Sequence, residues 1–253
     1  MDINDIAMLK QSVEILEHPS LFVTVSGAHL YGFASPNSDF DLRGAFVLPI
    51  HSVIGLKKPD ETVTHSLEES GRTIDLVSHD IGKFLRMMLN KNGYVLEQLY
   101  SPLVVLGGSD FEELRELGKG CITRHLYHHY RGFSHGQIRQ FETEFPMRVK
   151  TLLYVYRVLM TGIWVLERGE VEANLLRLND SFRLPFIIDL IEQKRQENAI
   201  LDEGGLSMYE ESIVRLQERL ESAFQDSVLP ESPAHEEAMN DFLIRLRVKG
   251  LHE

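Results

Sequence analysis

Two carboxylates, Asp39 and Asp41, stand two residues apart in the first quarter of this sequence. Their surroundings are typical of a strand, in which side chains alternate faces, so both carboxylates are expected on the same side. Two like charges this close repel each other unless a cation lies between them. Because carboxylate oxygens are hard ligands, the pair predicts a site for Mg²⁺, with Mn²⁺ as the alternative occupant.

The segment around the pair predicts two strands joined by a loop of small residues. A β-branched run, Val23 to Val25, ends at Gly27, and the chain reaches Asp39 through turn-forming residues: Gly32, Ser35, Pro36 and Asn37. Taken alone, Ser-Asp-x-Asp is also a common sequence at a solvated strand edge. That structural alternative stays open for the pair.

This stretch resembles the signature of the DNA polymerase β superfamily of nucleotidyltransferases. In that signature Gly-Ser is followed by a glycine and then by Ser-Asp-x-Asp and an apolar residue. Gly27, Gly32 and the run from Ser38 to Leu42 occupy those positions. The resemblance implies a loop whose N–H groups hold a triphosphate, where Gly27 lets the backbone approach closely, and two aspartates that hold metal ions.

One position departs from the superfamily pattern, because Ala28 stands where the family has serine. The hydroxyl that usually supports a phosphate is therefore missing, and Ser26 is a candidate substitute. The nucleotide contacts that the resemblance implies in this stretch are Ser26, Gly27, Ala28 and Ser38.

A third carboxylate lies in the next β-rich run, at Asp75. The resemblance implies that Asp75 completes a metal triad with Asp39 and Asp41 and shares their catalytic role. Asp80, five residues on, competes by composition, but it directly precedes apolar residues at helical spacing. We therefore interpret Asp80 as a helix N-cap.

Three further segments narrow the resemblance: Ile74 to Asp80, Lys91 to Leu99 and Lys150 to Arg157. They are similar to the stand-alone bacterial branch called RNA-ligase-associated, or RlaP-like, nucleotidyltransferases. The likeness covers most of residues 20–180. It implies an association with RNA repair, although no motif here reads RNA.

The order of patterns predicts an α/β (α+β) core with a mixed sheet, followed by an all-α helical bundle. The resemblance implies that the first part is the nucleotidyltransferase core. The predicted domains are residues 1–108 and 109–253, since strand signals fade after Gly107 and Gly108. Helices are expected near 6–16, 80–90, 110–118, 122–144, 146–168, 183–200, 207–225 and 233–248. Strands are expected at 61–67 and 73–78, besides the two around the loop.

Composition limits the partners. With a net charge of −12, the chain is unsuited to wrapping an extended duplex, which depends on phosphate neutralisation. No apolar run approaches the ~20 residues of a membrane span, and the single Cys121 excludes an internal disulfide. We expect a cytoplasmic protein without membrane contact, whose oligomeric state the sequence leaves open.

The segment between Lys119 and Arg157 departs from this acidity. It carries five basic residues and four histidines against two glutamates, the basic ones being Arg124, Arg131, Arg139, Arg148 and Lys150. This predicts a basic wall suited to a triphosphate or to one RNA end. Scattered solvated charges are the alternative interpretation.

Within that segment, Lys150, Tyr154 and Arg157 fall at helical intervals and share one face with Thr161. An ammonium and a guanidinium could hold phosphate oxygens while the tyrosine packs on a sugar or base. We predict that Lys150, Tyr154 and Arg157 bind the nucleotide. The alternative is an amphipathic helix whose polar side is merely solvated.

A cysteine and three histidines, Cys121, His125, His128 and His129, raise a zinc hypothesis. Three of them are spaced four apart, but a structural zinc site needs four ligands and no second ligand pair exists. Core packing or phosphate contact by the histidines is favoured.

Together with these patterns, the resemblance implies a Mg²⁺-dependent transfer of a nucleoside monophosphate from an NTP to an acceptor hydroxyl. An RNA end, a protein hydroxyl and a small metabolite are all open as acceptors. A nucleotide-binding sensor or regulatory module without turnover is the alternative, because Ala28 departs from the pattern.

Overall fold

The computed structural model describes residues 3–69, 71–196, 200–201 and 203–249. The chain divides into two compact units. The first, here the α/β unit, comprises Met1–Leu30, Asp39–Cys121 and Pro233–Glu253. The second, the helical unit, comprises Tyr31–Ser38 and Ile122–Ser232. This division differs from the predicted split after residue 108, because the chain passes between the units four times.

A mixed five-stranded sheet forms the centre of the α/β unit. Its strands are β1 (Ser20–Val25), β2 (Phe40–Phe46), β3 (Thr62–Glu69), β4 (Arg72–Asp80) and β5 (Val104–Leu106). They lie in the order β3-β4-β2-β1-β5, and only the β2–β4 pairing is parallel. The predicted mixed sheet is confirmed, including the antiparallel pairing of β3 with β4.

One face of the sheet is closed by the first helix, α1 (Ile3–Val13). Leu9 and Val13 of α1 pack on alternate strand residues such as Phe40 and Leu42, which are fully buried. Strand alternation then turns the residues between them, among them Asp41, to the opposite face. The packing of α1 therefore decides which side of β2 carries polar groups.

The remaining helices of this unit are short or peripheral: α2 (Gly27–Tyr31, which ends in the helical unit), α3 (Ile50–Val53), α4 (Ile81–Leu89), α5 (Gly93–Leu99), α6 (Ser109–Lys119) and α12 (Glu236–Lys249). Phe22 of β1 packs against Phe84 of α4 and Phe111 of α6. The loop that was predicted after Gly27 begins instead as the short helix α2.

The N-cap predicted at Asp80 is confirmed, since its Oδ2 accepts the N–H of Gly82 at 2.9 Å. The same carboxylate, only 1% exposed, also accepts from the N–H of Leu48 and from the guanidinium of Arg247. Arg247 lies on α12, so this buried ion pair attaches the C-terminal helix to the sheet. A buried charge needs such a partner, which explains why residues near the end of the chain join the first unit.

The helical unit contains α7 (Leu126–Thr143), α8 (Val149–Arg168), α9 (Leu175–Phe182), α10 (Phe186–Arg195) and α11 (Leu206–Asp226). Helix α8 is its core and ends at Gly169, whose φ of +69° favours glycine. In length and apolarity α8 could cross a membrane, but 83% of its most apolar window is buried inside the structure. It therefore has the burial of a core helix.

Most predicted helices are confirmed within a few residues. Helix α9 and strand β5 were missed, and Asn179, predicted to mark a join, lies inside α9. Its side chain bonds both the N–H and the C=O of Leu184, so it closes the helix end from within. Ser70, in the turn predicted between β3 and β4, and residues 197–199 of the helix predicted at 183–200 lie outside the described residues.

Candidate active site

Two of the predicted metal ligands stand side by side in the sheet. Strands β2 and β4 run parallel in a register that pairs Asp41 directly with Asp75. Paired residues of neighbouring strands point to the same face, about 4.8 Å apart along the hydrogen-bonding direction. Asp41 and Asp75, 34 residues apart in the chain, therefore form an adjacent carboxylate pair.

Gly27 borders this pair. Its φ is +61°, and a Cβ built on it would overlap the Asp41 carboxylate, nearest to Oδ2. The backbone also connects the two, because the N–H of Ser26 donates to the carbonyl of Asp41 at 2.8 Å. Only glycine satisfies both the left-handed backbone and the close approach of Asp41.

Arg43, which sequence reasoning missed, is the immediate counter-ion of Asp41. Its Nη2 lies 2.8 Å from Asp41 Oδ1, and its Nε donates to the Tyr94 hydroxyl at 3.0 Å. Its Nη1 donates to the backbone carbonyls of Leu42 and Asp75. Burial acts to lower the pKa of Arg43, but Tyr94 and Asp41 outweigh it and raise that pKa. The i, i+2 spacing of Asp41 and Arg43 on one strand was the signal that could have revealed this pair.

The other two carboxylates have different surroundings. Asp75 Oδ1 accepts a hydrogen bond from the Ser66 hydroxyl at 2.6 Å, and Asp39 is exposed just before β2. In the described parts of the chain, no three Asp, Glu, His or Cys side chains are gathered closely enough to hold a metal. The in-register pair supplies hard oxygen donors that fit Mg²⁺, provided that Asp41 exchanges Arg43 for the ion.

The predicted phosphate contacts near Gly27 are largely enclosed. Ser26 is fully buried, and Ala28 is 9% exposed. Among the described residues, the Ser26 hydroxyl has no hydrogen-bond partner. Within this turn, the backbone of Gly27 therefore borders the Asp41 carboxylate, and the side chains of Ser26 and Ala28 are enclosed.

Ser38 belongs to a small polar cluster of the helical unit. Its hydroxyl accepts the N–H of Ser35 and lies 2.9 Å from the Ser35 hydroxyl. Lys194 of α10 places its Nζ 2.7 Å from Ser35 Oγ and 3.5 Å from Ser38 Oγ. Sequence reasoning missed Lys194, since no local pattern reports a contact across 159 positions.

The predicted nucleotide-binding face of α8 is divided by burial. Lys150 is exposed and Tyr154 is half-buried, whereas Arg157 and Thr161 are fully buried. The Arg157 guanidinium lies 4.1 Å from the ring centre of Tyr31 and 5.3 Å from that of Phe133. The helical spacing predicts that these residues share one face, but packing against other helices buries the half that contains Arg157 and Thr161.

The zinc hypothesis finds no geometric support in the described residues, which contain no cluster of three potential ligands. Cys121 is fully buried, and burial raises the pKa of its thiol to about 12. His125 contacts Glu231 at 2.7 Å instead. Cys121 is therefore a protonated core residue.

Several known proteins are similar to this chain. An uncharacterized protein of Methanocaldococcus jannaschii is 30% identical over 228 residues, covering 88% of this chain and 91% of that relative. The uncharacterized protein YcgL of Bacillus subtilis is 21% identical over 153 residues, 60% of this chain and 58% of that relative. A crystallised nucleotidyltransferase-like protein from Exiguobacterium sibiricum covers 96% of this chain at 15% identity, but its TM-score of 0.30 is too low to support an argument.

Residues 1–245 match the family RlaP, described as the RNA repair pathway DNA polymerase beta family. The match spans almost the whole chain and confirms the resemblance that the Gly27 to Leu42 stretch predicted. The chain belongs to this RlaP family of polymerase β-type nucleotidyltransferases.

Proposed function

We propose that this protein transfers a nucleoside monophosphate from an NTP to an acceptor hydroxyl in a Mg²⁺-dependent reaction, with an RNA end as the acceptor. The observation that carries the proposal is the in-register pair of Asp41 and Asp75 beside the glycine turn at Gly27. Membership of an RNA repair family supports the choice of acceptor.

In this reaction the acceptor oxygen attacks the α-phosphorus, a new P–O bond forms, and the bond to pyrophosphate breaks. A divalent ion would supply charge neutralisation for the phosphate oxygens. Asp39, Asp41 and Asp75 would hold it, and Mn²⁺ is expected to substitute. The acceptor proton passes to a carboxylate or to solvent.

Nucleotide contacts are proposed on both units separately. In the α/β unit the backbone N–H groups of Gly27 and Ala28 would contact the phosphates, with no Cβ in the way at Gly27. Ser26 would contribute its hydroxyl, because its N–H already donates to the carbonyl of Asp41. In the helical unit Ser38 and the exposed Lys150 are polar, and Tyr154 is partly open to solvent. Arg157 remains a proposed contact. Because its side chain is buried, a structural role predicts a loss of stability on substitution, and a binding role predicts a loss of NTP affinity.

The test is metal-dependent release of pyrophosphate from each NTP in the presence of total RNA. Asp39→Asn, Asp41→Asn and Asp75→Asn should each lower the rate by at least about 100-fold, as expected when a group stabilising transition-state charge is lost. Asp60→Asn is the matched control, because Asp60 is an exposed aspartate of the same unit. Wild-type-like turnover in all three active-site variants would refute the proposal.

A specific observation favours the second candidate, a nucleotide sensor without turnover. Asp41 is held by Arg43, and the described residues contain no ready-made three-ligand cluster. A sensor would bind an NTP in titration calorimetry yet release no pyrophosphate with any RNA. Release that depends on both metal and RNA excludes it.

A further inference from the structure

Helix α7 exposes one continuous face to solvent. The exposed residues of this face recur at intervals of three and four along the helix: His128, Arg131, Gly132, His135, Gly136, Arg139 and Gln140. Such spacing places them on one side of a helix. The opposite side is buried through Leu126, Tyr130 and Phe141. The exposed face is therefore a well-defined surface of the helical unit.

The charge of this face contrasts with that of the whole chain, which is −12. Among the described residues, the guanidinium groups of Arg131 and Arg139 take part in no ion pair or hydrogen bond. Glu221 lies near one end, and its pKa is lowered by hydrogen bonds from Tyr127 and Gln225 and by the nearby charge of Arg131. Glu142 is exposed near the other end. Between these ends the two arginines are available to anions.

Two glycines on the flank of this face, Gly132 and Gly136, have no structural reason within the described chain. Neither has a positive φ, and a Cβ built on either would meet no atom within 4 Å. Glycine is a poor helix former, so both positions weaken α7 without improving its packing. The absence of side chains at these positions leaves the helix backbone between the arginines uncovered.

We propose that this face of α7 docks the sugar-phosphate backbone of the RNA acceptor, an inference that rests on the proposed function. Arg131 and Arg139 lie eight residues apart, or ~12 Å along the helix axis. They can therefore neutralise two phosphates, which suits a short single-stranded end better than an extended duplex. Phosphate contacts of this kind position a nucleic acid without reading its sequence.

The composition of the face favours RNA over a protein partner. Protein interfaces bury an apolar or aromatic centre. None of the large hydrophobic side chains exposed in the described residues lies on α7. An acidic protein segment would share the charge of RNA but would need such a centre.

The test is fluorescence anisotropy with a labelled single-stranded RNA of ten nucleotides, without NTP. Arg131→Gln and Arg139→Gln should each weaken binding about three- to tenfold. Each should also reduce the slope of log K against log salt by about 0.7, the value for one phosphate contact on a single strand. Arg215→Gln, an exposed arginine paired with Glu211 on α11, is the matched control and should change neither quantity.

A second variant separates docking from stability. Gly132→Ala with Gly136→Ala should raise Tm by about 2–4 °C per substitution, because alanine favours the helix, yet weaken RNA binding several-fold. A more stable protein with unchanged RNA affinity would refute the inference that RNA approaches the α7 backbone at these glycines. Equal displacement of the RNA by a poly-glutamate peptide would overturn the choice of RNA.

The two proposals fail separately. Arg131→Gln and Arg139→Gln should leave NTP binding without RNA unchanged in titration calorimetry, because neither arginine belongs to the proposed active site. RNA binding that depends on both arginines in a protein without transferase activity would support docking and refute transfer. Transfer with wild-type RNA affinity in both variants would refute docking.

Discussion

The carboxylate face of the sheet and the polar face of α8 were both inferred from the spacing of residues in the sequence. The two faces differ in how far solvent reaches them. On the sheet, 32% of the Asp41 side chain is exposed to solvent, and its Oδ1 lies 2.8 Å from Nη2 of Arg43. On α8, Arg157 is enclosed by the rings of Tyr31 and Phe133. Periodicity predicts which residues share a face, but only the neighbouring elements decide whether solvent reaches that face.

The largest expected effect tests the burial of Arg157. Arg157→Ala should lower the free energy of unfolding by about 3–5 kcal/mol, because a large enclosed side chain leaves a cavity. Arg168→Ala, on the exposed end of the same helix over the Trp164 ring, should cost at most about 1 kcal/mol. Urea denaturation measures both. Unchanged stability with weaker NTP binding in Arg157→Ala would contradict the structural role and support the proposed nucleotide contact.

The pH dependence of the free energy of unfolding tests whether His129, which lies near Arg157, is buried in the folded protein. Burial and the charge of Arg157 lower the pKa of His129 to about 4, whereas the unfolded value is about 6.5. The unfolded state therefore binds more protons between these values, so stability is complete above pH 6.5 and falls as pH drops towards 4. The loss amounts to about 3 kcal/mol.

His129→Gln should flatten this part of the pH profile, measured by denaturation at pH 7.5, 6 and 4.5. The values at pH 7.5 serve as the reference for the cost of the substitution itself. An identical slope in wild type and variant would place the acid sensitivity elsewhere.

The smallest effect concerns the sheet. Because Arg43 competes with a metal for Asp41 Oδ1, Arg43→Gln should tighten Mg²⁺ or Mn²⁺ binding without nucleotide by about fivefold, the scale of one partly exposed ion pair. Titration calorimetry measures this. Tyr94→Phe, which keeps the arginine charge, is the control and should change affinity little. Weaker metal binding in Arg43→Gln would instead make Arg43 a residue that orients Asp41 for the ion.

Much of the local structure was predictable. The β-branched runs and the cap at Asp80 depend on conformational preferences within a few residues, and both lie where the sequence predicted. The loop predicted after Gly27 begins instead as the short helix α2. Helix α9 was missed because its closing residue, Asn179, resembles a loop signal when its bonds to Leu184 are unknown. The roles of the predicted site residues stay predictions until the variants are measured.

The sequence alone determined the family, the strand and helix periods and the identity of the carboxylates, since these depend on residue types at short spacing. Tertiary structure decided the rest. Parallel pairing brought Asp75 beside Asp41, and α12 brought Arg247 to Asp80 across 167 positions. Packing buried Arg157 and left Lys150 exposed. Contacts between distant segments depend on how elements pack, and no local propensity encodes that arrangement.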